Sequence, residues 1–199
     1  VPLKVAIADY GVGNLHSIRK AVENCGADPT IVQDARELLD FPCLVLPGVG
    51  AFDKTMRRLS PFRDEIVDLL SSGTPCMGIC IGAQILFDGS DEGTVPGLGF
   101  YSGRVVRLRA QRVPHMGWNS VVSTDPLMRC LPSPYFYFAH SFYGSPAEDI
   151  VAGETDYFGL FPSLFKKKNT YGTQFHPEKS SAAGMAFLRG FLEFAEAQR

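Results

Sequence analysis

In Gly78-Ile79-Cys80-Ile81-Gly82 this sequence sets a thiol between two glycines. The pentapeptide follows an apolar run and opens a helical pattern, the context in which a nucleophile sits on a sharp strand-to-helix turn. Only small neighbours let the backbone segments of such a turn approach each other. The side chain then projects near a helix N-terminus, whose unpaired N–H groups favour a thiolate. Most free cysteines are buried packing residues, and that reading stands for Cys25, Cys43, Cys76 and Cys130. For Cys80 the flanking glycines reverse it.

A thiol nucleophile needs a base, and the base needs an orienting group. His176 stands in Gly172-Thr173-Gln174-Phe175-His176-Pro177-Glu178-Lys179-Ser180, just past a strand pattern, with a carboxylate two residues on. Residues i and i+2 of extended backbone share a side, so Glu178 can hold one imidazole nitrogen while the other faces Cys80. Pro177 stiffens that spacing. Alone, His-Pro-Glu at a strand end is more often only a turn; with the cysteine elbow upstream it makes a Cys-His-Glu triad. The third element is Leu46-Pro47-Gly48-Val49-Gly50-Ala51-Phe52. Glycines there let the backbone N–H groups of Gly48, Val49 and Gly50 come close to a reacting atom, as an oxyanion hole requires. A phosphate loop is the rival, but neither G-x-G-x-x-G nor a G-K-[ST] ending is present. Gly11-Val12-Gly13 lacks the third glycine too, which argues against a dinucleotide site.

The elements that must position these residues follow from hydrophobic periodicity. Strands are predicted at 4–9, 30–32, 43–46 and 76–79, alternating with helices at 15–25, 35–40, 62–72 and 81–87. Alternation of this kind implies a parallel sheet with helices on both faces. Ligands of such sheets bind outside the carboxyl ends of the strands, which gathers Pro47–Gly50, Cys80 and His176 on one edge. From Phe100 to Phe165 the pattern turns aromatic and β-branched with Gly and Pro punctuation, which predicts antiparallel strands. A last strand at 171–175 and a helix at 182–197, with Phe187, Leu188, Phe191, Leu192 and Ala195 as its apolar stripe, close the chain.

Composition sets the bounds. At 199 residues with 45% hydrophobic side chains, the chain reads as one domain, 1–199, able to bury a core without disulfides or metal. A net charge of −2 argues against a polyanion-binding role. The basic run Lys166-Lys167-Lys168 reads as a solvated loop or edge. Five cysteines with no zinc or thioredoxin spacing fit reduced thiols and a cytoplasmic location. No run of 18 apolar residues occurs, and the N-terminal segment meets charge too soon for a signal peptide. No metal or other cofactor is expected.

The cysteine elbow, the strand-end Pro-Gly-Val-Gly and the late His-Pro-Glu resemble the triad (class I) glutamine amidotransferases. More narrowly, the chain resembles the glutaminase subunits of imidazole glycerol phosphate synthase. The narrower likeness rests on Asp9-Tyr10-Gly11-Val12-Gly13-Asn14, Leu46 to Phe52, Pro114-His115-Met116-Gly117-Trp118-Asn119, Tyr137-Phe138-Ala139-His140-Ser141 and Gln174 to Ser180. These stretches span nearly the whole chain, whereas Gly-x-Cys-x-Gly and His-x-Glu alone mark only the superfamily. One departure is Ile81-Gly82-Ala83-Gln84 where the family commonly reads Leu-Gly-Met-Gln, an apolar change that bears on packing.

The resemblance implies an α/β, flavodoxin-like three-layer sandwich with a mostly parallel central sheet and additional antiparallel strands in the second half. It implies Cys80 as nucleophile, His176 as general acid/base and Glu178 as its orienting carboxylate. The backbone of Gly48, Val49 and Gly50, with the N–H of Ile81, supplies the oxyanion hole. Gln84 faces the bound glutamine, with His140 and Ser141 beside it, and Asn14, Tyr137 and Lys179 lie towards a partner subunit. The partner implied is a (βα)8-barrel cyclase, in a heterodimer that makes imidazole glycerol phosphate and aminoimidazole carboxamide ribonucleotide. The length leaves no residues for a synthase domain, so the ammonia is expected to be used by another chain. One oxyanion donor is worth about 3–4 kcal/mol, so turning one peptide of the Pro47–Gly50 loop is enough to switch activity.

Of the remaining histidines, His16 reads as a helix-capping or packing residue and His115 as lying near the partner surface. His140 either lines the glutamine pocket or packs in the core. Three other functions are open to the sequence. A glutaminase of pyridoxal phosphate synthase usually shows Gly-Gly-Glu-Ser where Pro47-Gly48-Val49-Gly50 stands here. Another Cys hydrolase of the same architecture does not need the late His-x-Glu, and a non-catalytic module does not need an intact triad.

Overall fold

The computed structural model describes residues 1–11, 15–48 and 50–198. In chain order the first half comprises β1 (Lys4–Ala8), α1 (Leu15–Asn24), β2 (Asp28–Val32), β3 (Leu44–Leu46), α2 (Phe52–Leu59), α3 (Arg63–Ser71), β4 (Cys76–Ile79) and α4 (Ile81–Gln84). The second half is almost all strand: β5 (Phe87–Ser90), β6 (Tyr101–Arg107), β7 (His115–Ser120), β8 (Val122–Ser123), β9 (Tyr135–His140), β10 (Phe142–Pro146), β11 (Val151–Asp156), β12 (Leu160–Lys167) and β13 (Thr170–Thr173). Helix α5 (Ser181–Glu196) follows.

Short runs without polar residues, such as Val5-Ala6-Ile7-Ala8, suit strands covered on both faces. Alternate side chains leave such a strand on opposite sides. Val5, Ile7, Val45, Met77 and Ile79 join α1 and α5 in one apolar cluster, while Ala6, Ala8, Leu44, Leu46 and Cys76 join α2 and α3 in the other. Helices thus flank both faces of the sheet, as expected.

The main sheet runs in the order β2-β1-β3-β4-β13-β12-β11-β8. Pairing is parallel from β2 through β13 and antiparallel from β13 outward to β8. Two small sheets, β10-β6-β5 and β7-β9, complete the described strands. The strand that precedes Cys80 therefore lies between the one that precedes Pro47–Gly50 and the one that precedes His176.

Three expectations need correction. Helix α2 lies between the strand expected at 43–46 and the helix expected at 62–72, where no element is predicted; Phe52, Thr55, Met56 and Leu59 are its buried face, at the 3–4 spacing of an amphipathic helix. The helix expected over 81–87 stops at Gln84. The carbonyls of Ile85, Leu86 and Phe87 accept from the N–H groups of Leu98, Tyr101 and Gly99, so the chain turns into β5 instead. The lysine run is not a solvated loop or edge. Lys166 and Lys167 end β12, an interior strand, and Lys167 Nζ donates to Phe100 O at 2.8 Å and Glu148 Oε1 at 2.9 Å. Lys166 Nζ lies over the Tyr171 ring and 3.8 Å from Asp125. Only Lys168 is exposed.

Among the described residues, no helix is long and apolar enough to cross a membrane, and no three His, Cys, Asp or Glu side chains gather as a metal site would require.

Candidate active site

β4 ends at Ile79 and α4 begins at Ile81, so the reversal of chain direction falls on Cys80, at φ 49° and ψ −109°. Such a conformation costs a residue with a Cβ on the order of 1–3 kcal/mol and persists only where the surroundings fix it. Here the Cys80 N–H donates to Thr173 O at 2.6 Å, and its carbonyl accepts from Ala83 and Gln84. The approach of α4 to β3 is equally tight. A Cβ on Gly82 would run into the Leu46 carbonyl, so glycine is required there. The elbow expected from the sequence is present, with one difference. Helix α4 is a single turn, too short for a substantial macrodipole, and side chains meet the sulfur instead: His176 hydrogen-bonds to it, and Gln174 Nε2 lies 3.5 Å from Sγ.

His176 comes from the neighbouring strand end. Its N–H donates to Tyr137 O, and its carbonyl accepts from Ser180 Oγ at 2.6 Å, which in turn accepts from Tyr137 N–H. Glu178 Oε1 lies 2.8 Å from Nδ1. The two residues do face each other, though not along a strand. His176 is extended, whereas Pro177–Lys179 form a 3-10 turn that swings Glu178 back onto the ring. Burial works against charge on His176, but the Cys80 sulfur and the Glu178 carboxylate outweigh it and raise the imidazole to about 10. The thiol and the ring converge on Gly48. A Cβ there would lie 2.9 Å from both Cys80 Cβ and His176 Cε1, so only glycine admits the loop at this point.

A cavity of about 310 Å³ opens in front of the sulfur, lined by Gly48, Gly50, Ile81, Gln84, His140 and Ser141 among others. His140 answers to both of its sequence readings, being buried and on the cavity wall. Its Nδ1 is 2.9 Å from Phe142 O, an obligate acceptor, so the proton sits there. His140 Nε2 then accepts from His115 Nδ1 at 3.0 Å, and His115 Nε2 accepts from Asn119 Nδ2 at 3.3 Å. His115 itself is buried, stacked on Phe138 and Tyr157. It is its neighbours Met116 and Trp118, 64% and 53% exposed, that face outward, which corrects the expected surface position of His115. His16 is exposed on α1.

Burial holds His115 down to about 4 and His140 to about 3. Below the ordinary histidine value the unfolded chain takes up protons that the folded pair refuses, so stability is lost as pH falls from about 6.5 towards 4. The slope expected is about 1.4 kcal/mol per pH unit for each ring. Urea midpoints measured across that range should fall, and less steeply in His115→Gln. An identical slope in the variant would remove His115 from the account.

The family described as "Glutamine amidotransferase class-I" matches residues 6–194. The imidazole glycerol phosphate synthase subunit HisH of Methanothermobacter thermautotrophicus is 42% identical over 97% of this chain and 100% of its own length. That of Gloeothece citriformis is 44% identical over 94% of each. The chain is a class-I glutamine amidotransferase of the HisH family. A crystal structure of a glutamine amidotransferase superposes with a TM-score of 0.75 at 20% identity, covering 96% of this chain and 98% of that one, a likeness of fold.

In this amidotransferase the residues singled out from the sequence fall into three groups. Cys80, His176 and Glu178 come together, and Gly48, Gly50, Ile81, Gln84, His140 and Ser141 surround the cavity before them. Tyr137 and the exposed Lys179 stand beside His176, with Trp118 edge-on to the Tyr137 ring. Val49 and Asn14 lie outside the described residues. Sequence reasoning missed Glu92 at the cavity rim and Gln174 beneath the sulfur. Glu92 stands in a loop with no motif; Gln174 lies two residues before His176, and the rule that residues i and i+2 of extended backbone share a side was the available signal.

Proposed function

We propose that residues 1–199 act as one glutaminase domain in the cytoplasm, hydrolysing glutamine and handing the ammonia to the cyclase subunit of an imidazole glycerol phosphate synthase. The observation that carries this reading is the convergence of Cys80 and the His176–Glu178 pair on one cavity, in a chain alike to HisH subunits over nearly its full length.

The Cys80 sulfur attacks the side-chain amide carbon of glutamine, forming the S–C bond. The oxyanion that develops is met by backbone N–H groups of Ile81 and of the Gly48–Gly50 segment. His176 delivers its proton to the nitrogen, so the C–N bond breaks with ammonia as leaving group. Water then loses a proton to His176 and attacks the thioester, releasing glutamate and returning the electron pair to sulfur. Glu178 keeps the imidazole oriented and favours its charged form. Among the described residues lining the cavity, Glu92 carries the one carboxylate, and it suits the α-ammonium of the substrate.

Met116 joins the cavity lining to an outward apolar patch with Trp118 and Tyr135, the kind of surface that a partner covers. We assign that patch, with Asn14, Tyr137 and Lys179, to the (βα)8-barrel cyclase, whose docking encloses an internal channel for ammonia and whose ligand signals back to the site. Glutamate release should be measured for the chain alone and with the cyclase and its nucleotide ligand. Low release alone and strong release in the liganded complex are expected. Equal rates in the two would make this a free-standing glutaminase.

A further inference from the structure

Beneath the sulfur runs a chain of side-chain amides whose direction is fixed at one end. Gln84 Nε2 lies 2.9 Å from the Phe142 carbonyl and 3.1 Å from Gln174 Oε1, and Gln174 Nε2 lies 3.5 Å from Cys80 Sγ. A main-chain carbonyl can only accept, so Gln84 must turn its NH2 towards Phe142. Both hydrogens of that group are then engaged, the second by Gln174 Oε1. Gln174 therefore has its own NH2 on the sulfur side. Turning either amide over would oppose two carbonyls or two NH2 groups in a buried site, where an unmet polar group costs about 1–3 kcal/mol. Both glutamines are buried, at 3% and 1% exposure. The backbone of Gln174 is held as well, since its N–H donates to Ser163 O and the preceding carbonyl, Thr173 O, accepts from Cys80 N–H.

We propose that Gln174 is a positioning residue for the nucleophile: its amide N–H holds the anionic sulfur of Cys80 in place at the cavity wall before attack and receives it again when the thioester is hydrolysed. The donor serves the reaction at the two points where the sulfur carries a negative charge. In acylation that pair forms the S–C bond; in deacylation it returns as the C–S bond breaks and the new C–O bond forms. At both of these points the proton is on His176. A hydrogen bond to a charged atom is stronger than one to a neutral atom, so the contact favours the states with free thiolate. The orientation of the amide chain also leaves Gln84 Oε1 as the atom that this residue presents to the cavity.

This inference rests on Cys80 being the nucleophile, and the test separates the two. The full chain, Gln174→Met and Gln174→Glu are treated with iodoacetamide across pH 5–10, and modification of Cys80 is followed by mass spectrometry. Methionine matches the volume without the donor, and the carboxylate of glutamate sets a like charge against the sulfur. The pH of half-maximal alkylation should rise by about one to two units in the methionine variant, the scale of a hydrogen bond to a charged group. In the glutamate variant it should rise at least as far. Under conditions where the unsubstituted chain turns over, kcat should fall ten-fold or more with KM for glutamine within about three-fold. Unmoved alkylation midpoints in both variants would overturn the role of Gln174 while leaving the nucleophile in place. Failure of a glutamine analogue to label Cys80 in the unsubstituted chain would instead remove the reading on which it stands.

Discussion

Cys80→Ser is expected to fold, to bind glutamine and to release almost no glutamate. Loss of a nucleophile from a triad-type site costs on the order of 10⁴-fold or more in kcat, and here the surroundings sharpen that loss. The elbow fixes the side chain at φ 49°, so a serine hydroxyl occupies the same direction but with a shorter bond to Cβ. Its oxygen withdraws from Gln174 and from the imidazole alike. A hydroxyl also gives up its proton far less readily than a thiol, and His176 is arranged to share charge with an anionic sulfur. Glutamine hydrolysis with the partner present, alongside calorimetric binding of glutamine, checks both halves of the expectation. Turnover within ten-fold of the parent would mean that another group attacks the amide.

Glu178→Gln is expected to lower kcat by about 10³–10⁴-fold, the scale seen when the orienting carboxylate of a triad becomes an amide. The mechanism is a choice of tautomer. The carboxylate accepts at Nδ1 and so leaves Nε2 able to take a proton. An amide can turn its NH2 to Nδ1, which moves the ring proton to Nε2 and abolishes the base. The second carboxylate oxygen, Oε2, is buried without a protein partner, so nothing there resists such a turn. The sign of the accompanying pH effect follows from charge. An anion beside an imidazole favours the protonated ring, and with the sulfur it holds His176 at about 10. Removing the carboxylate lowers that value, so the alkaline limb of kcat/KM should move to lower pH. A limb that stays in place would show that the limb belongs to another group.

The parts of the site legible in the sequence are those that depend on backbone geometry near one residue. Gly78 and Gly82 bracket Cys80 because the turn excludes side chains, and such a requirement is written locally. The strand ends after Leu46 and Ile79 were likewise readable, and that of the last strand to within two residues (expected at Phe175, found at Thr173), since apolar runs and the rule of parallel sheets place them on one edge. Contacts made by long side chains across the fold were not. Gln174 reaches the sulfur only because β13 pairs with β4, and Lys166 and Lys167 are half-buried only because α5 and the 148–150 segment pack against β12. The early end of α4 belongs to the same class: carbonyls that a helix would have used are taken by residues 98–101, which no periodicity in 81–87 announces. Helix α2 is different, because its 3–4 pattern at Phe52, Thr55, Met56 and Leu59 is written in the sequence itself.

The adjacency of β4 and β13 has a consequence for how the protein is made. Cys80 and His176 belong to neighbouring strands, yet nearly half of the polypeptide separates them, and the bond from Cys80 N–H to Thr173 O cannot form until both are free of the ribosome. Synthesis runs at about 5–20 residues per second, so for several seconds a nascent chain carries its cysteine without its base. During that interval the thiol has neither an imidazole to charge it nor an amide to hold it. The proposed nucleophile and base thus come together only after β13 has emerged and paired with β4.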